Sequence, residues 1–150
     1  MATRTRNRAS NSAIHRILIG SHKISEYLDS ACQQVGVSLP LARALQFLAD
    51  ADGPVTPTEL SRELGRSPAA TSELVKRLVT KGQITANVDP IDRRSFQLAL
   101  TRTGRSKWNG VRSVLDDAEA SITRRYGKRK LVDLAGAVDE VVAKMNDARA

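Results

Sequence analysis

Apolar residues recur every three or four positions across residues 11–31, at Ile14, Ile17, Leu18, Ile24, Leu28 and Ala31. This spacing puts one apolar stripe along a long helix. A turn is expected at Gly36, and Leu39-Pro40 then opens a second helix with proline in its favoured first turn. Leu41, Ala44, Leu45 and Leu48 form the core face of that helix, and Asp52-Gly53-Pro54 closes it. Two short helices follow in tandem. Thr56 caps the first, with Pro57 at its first position, Glu59 completing a capping box, Leu60 and Leu64 on the buried side and Gly65 as the stop. Ser67 caps the second, again with a proline (Pro68) behind the cap; Ala70, Thr71, Leu74, Val75 and Leu78 share one face, and Ala69, Ser72, Glu73, Lys76 and Thr80 the other.

The period then changes. Residues 83–88 and 95–100 read as strands, the second alternating Phe96, Leu98 and Leu100 inward with Gln97 and Ala99 outward, and residues 89–94 form the loop between them. Thr103 is expected to cap a long helix with Trp108, Val111, Leu115, Ala118, Ile122 and Tyr126 on one stripe, ended by Gly127. A last helix over 128–147 carries Leu131, Leu134, Ala135, Val138, Val141, Val142 and Met145. The predicted fold is mainly α, formally α+β: a winged helix-turn-helix at 39–107 with a small β-hairpin wing, flanked by helical regions at 11–36 and 108–148. So small a winged helix cannot cover long amphipathic helices from both ends of the chain. Ile14, Ile17, Leu18, Leu131, Leu134, Val138, Val141, Val142 and Met145 are therefore expected to pack against a second copy, as a homodimer.

Charge adds a direction to this frame. The 150 residues carry 24 Lys+Arg against 16 Asp+Glu, net +8, which favours a polyanionic partner. Residues 1–23 hold five basic side chains and no acidic one, and residues 66–107 hold nine basic and three acidic, so the excess is concentrated in the arm and around the second short helix and hairpin. The exposed face of that second helix is small at its start and basic further on. Small residues let a helix enter a major groove about 12 Å wide, while Lys76 and Arg77 reach toward phosphates. The hairpin loop carries Asp92, Arg93 and Arg94. An arginine on such a loop can enter a narrow, negative minor groove, and Asp92, two residues before Arg94, either holds its guanidinium in one rotamer or forms an ordinary surface pair with it.

Other chemistry is sparse. A single cysteine, Cys32, forms no internal disulfide and sits near the C-terminal end of its helix, where the dipole raises a thiol pKa, so an inert thiol is expected. His15 and His22 lie two turns apart with no acidic or cysteine set beside them, so no metal is expected. No Ser-His-Asp grouping, paired carboxylates or glycine-rich phosphate loop points to an enzyme or a cofactor. The charged first residues lack an apolar segment behind them and no run is long enough to span a bilayer, so a cytoplasmic protein with no membrane partner is expected.

Taken together, Leu60 through Gly65 with Ser67-Pro68, Leu74-Val75-Lys76-Arg77-Leu78 with Lys81-Gly82, Asp89-Pro90 with Asp92-Arg93-Arg94, and Leu100-Thr101 with Thr103-Gly104-Arg105 resemble the MarR (multiple antibiotic resistance regulator) family of bacterial winged-helix transcription factors. The resemblance implies a homodimeric repressor that presents one winged helix per subunit to consecutive major grooves of double-stranded DNA. Many members of that family release DNA when a small phenolic or aromatic ligand, or an oxidant, acts near the junction of dimer and DNA-binding regions, and the resemblance implies the same here. By position, Ala69, Ala70, Ser72, Glu73 and Lys76 would meet bases or backbone, Ser67 a phosphate, and Arg94, braced by Asp92, the minor groove. Three departures stand out. Glu73 replaces a frequent basic residue, and either accepts from a cytosine amino group or repels phosphate. Thr85-Ala86-Asn87 lacks the arginine often found in the first wing strand, and five aromatics in the whole chain leave no plain aromatic pocket. Two further readings share the frame: a protein-interaction module, and an architectural DNA binder without sequence preference.

Overall fold

The capping signals fall where the helices begin. A computed structural model describes residues 12–90 and 95–147 and holds six helices and two strands in these residues: α1 Ala13–Gln33, α2 Leu39–Asp50, α3 Pro57–Leu64, α4 Pro68–Thr80, β1 Ile84–Val88, β2 Phe96–Leu100, α5 Arg102–Tyr126 and α6 Lys128–Asp147. The sites predicted at Asp92, Arg93 and Arg94 lie outside the described residues. The chain divides into two units, 1–114 and 115–150.

In the first unit, α3 opens with the complete capping box. Thr56 Oγ1 accepts from the Glu59 backbone N–H at 3.2 Å, and the Glu59 carboxylate accepts from the Thr56 N–H at 2.7 Å. It ends on Gly65 at φ +60°, a left-handed cap that reverses the chain within three residues. Ser67 then caps α4, its hydroxyl accepting from the Ala70 N–H at 3.3 Å. The two helices are tied by Ser61 Oγ donating to Thr71 Oγ1 at 2.8 Å, which gives the buried Thr71 hydroxyl its partner. Their angle is fixed by a core in which Leu45, Leu60, Leu78, Leu98 and Val111 are essentially inaccessible. Asp29, near the end of α1, caps α2 across ten residues by accepting from the Leu39 N–H at 2.6 Å. Sequence reading gave no hint of it.

The wing is antiparallel, with Ile84 paired to Leu100, Ala86 to Leu98 and Val88 to Phe96. Val55, from the loop before α3, adds an isolated bridge on the other edge of β2 by exchanging both backbone hydrogen bonds with Leu98, at 2.9 and 2.7 Å. Leu98 is buried, as its alternation predicts, but Phe96 is 48% exposed. It stands at the first position of β2, next to the hairpin loop.

The start of α5 also differs from expectation. Thr101, not Thr103, is the cap: its hydroxyl accepts from the Gly104 N–H at 3.0 Å and donates to the Gly82 carbonyl at 2.6 Å. One side chain thereby caps α5 and pins the turn that follows α4, a double use that outcompetes a cap two residues on. Trp108 and Val111 carry α5 into the core.

In the second unit, α5 runs to Tyr126 and α6 follows directly after Gly127. Lys130 Nζ lies 5.8 Å from the centre of the Tyr126 ring, a cation–π contact across the turn. No residue of α6 is buried, although its apolar stripe is continuous.

Candidate nucleic-acid interface

Helix α4 presents the face that its sequence pattern foretold. Thr71, Leu74 and Leu78 are buried and Val75 is half-buried, while Ser67, Ala69, Ser72, Glu73, Lys76 and Arg77 are exposed. Ala70 was assigned both to the apolar face and to the binding set, and it sits half-buried between them. Along the exposed face, small side chains occupy the first turn and a half and longer charged ones follow.

Glu73 and Lys76 are not independent. Lys76 Nζ donates to Glu73 Oε1 at 3.0 Å across one helical turn, with both side chains largely exposed. Surface pairs of this kind contribute only about 0.3–0.5 kcal/mol and are screened by salt. The pair therefore leaves both groups free to rearrange toward a partner, while partly cancelling the negative charge that Glu73 adds to a basic face.

The geometry also adds residues that sequence reading missed. Arg66 and Ser38 line a cavity of about 230 Å³ with Arg77, Glu73 and Ala70, where the start of α2 meets the flank of α4. Arg66, in the turn before the Ser67 cap, shares the lining of this cavity with Arg77. On the opposite flank of α4, Val75, Val79, Ala86, Phe96 and Leu98 line an apolar groove of about 400 Å³ between recognition helix and wing. The exposed Phe96 forms part of its wall.

At the loop end of the wing, Gln97 Nε2 donates to Asp89 Oδ2 at 2.9 Å, and the Asp89 N–H donates to the Ser95 carbonyl at 2.9 Å. These bonds close the hairpin at the two residues that flank its tip, so the loop leaves the sheet from fixed ends.

A tandem helix pair with a capped second helix, followed by a two-stranded wing, is a winged helix-turn-helix. Residues 35–95 match the family model described as MarR family. Over these residues the chain resembles a MarR-family winged helix. The chain is similar in fold to a transcriptional repressor, CouR, bound to a 23-mer DNA duplex: the TM-score is 0.83 and the identity 19%, covering 94% of this chain and 99% of that one. It is similar to the MepR–DNA complex of S. aureus (TM-score 0.76, 19% identity, 89% and 98% covered) and to a MarR-family transcriptional regulator from Rhodococcus sp. RHA1 (0.81, 16%, 90% and 95%). No curated protein shows significant sequence similarity to the chain. The chain has the fold of the MarR-family transcriptional regulators.

The remaining sequence-predicted residues have plain surroundings. Ile14, Ile17, Leu18, Leu134, Val138, Val141, Val142 and Met145 are exposed, by 38–64%, and Leu131 is half-buried. Cys32 is buried, and burial first, then the Asp29 charge, push its thiol pKa above the ordinary value. His22 faces Glu26 at 3.3 Å. Among the described residues no group of His, Cys, Asp and Glu could hold a metal, and no helix is long and apolar enough to cross a membrane.

Proposed function

We propose that the chain is a sequence-specific DNA-binding repressor that acts as a homodimer on a pseudo-palindromic operator and is released by a small aromatic or phenolic ligand. The observation that carries this reading is the exposed face of α4, small at its start and basic beyond it, on a winged helix that resembles those of the MarR family. Ala69, Ala70 and Ser72 reach base edges, Glu73 sets the preference at one base step, and Ser67, Lys76 and Arg77 meet the backbone. Arg94, braced by Asp92 and flanked by Arg93, enters the minor groove. The exposed apolar stripes of α1 and α6 support dimerisation, and the DNA-bound relatives of similar fold support a duplex partner.

The test is selection of bound fragments from genomic DNA, followed by footprinting. The expected footprint has two half-sites about one helical turn apart, ~34–36 Å. Arg94→Ala should weaken binding to that site at least about tenfold; equal affinity at moderate salt would remove the wing from the interface. One observation favours a second reading, a protein-docking module: the exposed Val79 and Phe96 make the α4–wing groove apolar. A protein that docks there would show the same weak affinity for every duplex offered.

A further inference from the structure

The densest run of charge in the chain lies outside the winged helix. Arg124, Arg125, Lys128, Arg129 and Lys130 fill five of the seven positions from 124 to 130, and residues 120–132 hold no Asp or Glu. The rest of the second unit, 115–150, is acidic: without these five it holds two cations and seven carboxylates. All five side chains are exposed. They straddle Gly127, whose φ of +97° turns the chain directly from α5 into α6. Among the described residues none of the five is in a salt bridge or a side-chain hydrogen bond, and Asp133, the nearest carboxylate along α6, pairs with none of them.

This arrangement does not serve the fold. Lys128, Arg129 and Lys130 occupy the first turn of α6, which holds no acidic residue, and a helix start carries partial positive charge that repels cations. Arg124 and Arg125 sit in the last turn of α5, where the dipole favours them, but they add to the repulsion across the turn. An ordinary solvated face intersperses both signs. Here one sign is gathered and left uncompensated.

We propose that the α5–α6 turn binds the phosphate backbone of double-stranded DNA without regard to sequence, as a contact separate from the one assigned to α4 and the wing. Charge complementarity selects a polyanion, and the three guanidiniums match phosphate oxygens two at a time. Phosphate contacts carry no sequence information. The one group in the patch that could stack on unpaired bases is the Tyr126 ring, and Lys130 Nζ lies over it, 5.8 Å from its centre. A duplex, whose bases need no stacking partner, therefore fits better than a single strand. The same cover removes the bulky apolar group with which a basic segment anchors in a membrane surface. Only residues of the second unit take part, so the contact stands whether or not α4 reads an operator.

Anisotropy titration of the full-length protein on a random-sequence duplex across a salt series tests the proposal, together with acetylation of Lys128 and Lys130 read by mass spectrometry. The duplex should protect both lysines, and should still do so in Lys76→Ala with Arg77→Ala, which weakens binding through α4. Joint replacement by Arg124→Gln, Arg125→Gln, Lys128→Gln, Arg129→Gln and Lys130→Gln should weaken duplex binding at least about tenfold at low salt and reduce the slope of log affinity against log salt by about three. That variant should melt no lower than wild type, because it relieves the repulsion at the start of α6, and should keep the wild-type mass in light scattering. Arg124→Lys with Arg125→Lys and Arg129→Lys keeps the charge and should bind within about threefold of wild type. The proposal is overturned if the glutamine variant binds the duplex with unchanged affinity and slope, or if the duplex leaves both lysines unprotected. It is overturned equally if a single strand or phosphatidylglycerol vesicles protect the lysines better than the duplex does, or if the glutamine variant falls to a lower mass, which would assign the cations to contact between copies. Equal affinity for operator and scrambled duplex, with both lysines still protected, would refute the operator reading and leave this one standing.

Discussion

Gly104 is the residue at which the fold tolerates least. Its backbone lies against Gln83 so closely that a Cβ would overlap the Gln83 carbonyl oxygen and stand 2.8 Å from Leu100 Cδ2. The clashing carbonyl already accepts from Thr101 and has no room to withdraw. Gly104→Ala should therefore lower unfolding stability by about 3 kcal/mol or more, read by urea denaturation, whereas an exposed helix position would gain from alanine. Glu59 makes the opposite kind of contribution, exposed and titratable. Hydrogen bonds from the Thr56 backbone N–H and then the Thr56 hydroxyl hold its carboxyl below the usual carboxylate range. A carboxylate with a depressed folded pKa stabilises fully above its unfolded value of about 4.3, and that stability is lost as pH falls through the folded value. Wild type should melt above Glu59→Gln at neutral pH, with the difference shrinking on acidification below about pH 4. A difference that stays constant with pH would mean that the ionised cap adds nothing.

At the scale of elements, α4 joins fold to function. Its buried stripe, its cap and its neighbour α3 were legible in the sequence, because Ser and Thr caps, prolines behind them and a leucine period act within one or two turns. The strands were legible for the same reason. What escaped depended on distance across the chain: Asp29 capping α2, Ser38 sharing a cavity with Arg77, and Val55 extending the wing sheet. Thr101 displaced Thr103 as a cap because Gly82, nineteen residues earlier, supplies a second partner that no local pattern announces. The pairing of Glu73 with Lys76 was available from their spacing of three, yet its effect on the proposed recognition follows only from both being exposed on the same face of α4. Lys76→Ala should weaken binding by a similar factor on all duplexes and reduce the slope of log affinity against log salt by about one. Glu73→Gln then separates the two roles open to that carboxylate. A uniform gain in affinity marks phosphate repulsion, and a loss confined to one base step marks readout of cytosine.

Across the whole molecule, two features stay unused by a single chain: a net charge of +8, and apolar stripes on α1 and α6 with side chains such as Leu18 and Met145 more than half exposed. Exposed apolar surface on this scale marks a protein interface. Light scattering should give about twice the 16.3 kDa chain mass, and Leu18→Glu with Val141→Glu should shift it toward one chain. A monomeric wild type would refute the homodimer. On the proposed operator the charge would serve phosphate contacts, measured by steep salt dependence, and resistance to competitor would measure reading of bases. The most direct measurement is therefore an anisotropy titration of the full-length protein on its selected operator and on a scrambled duplex of equal length, across a salt series. The account predicts at least about a thousandfold preference for the operator at physiological salt, with both affinities falling linearly in log salt. Equal affinity for the two duplexes would contradict it.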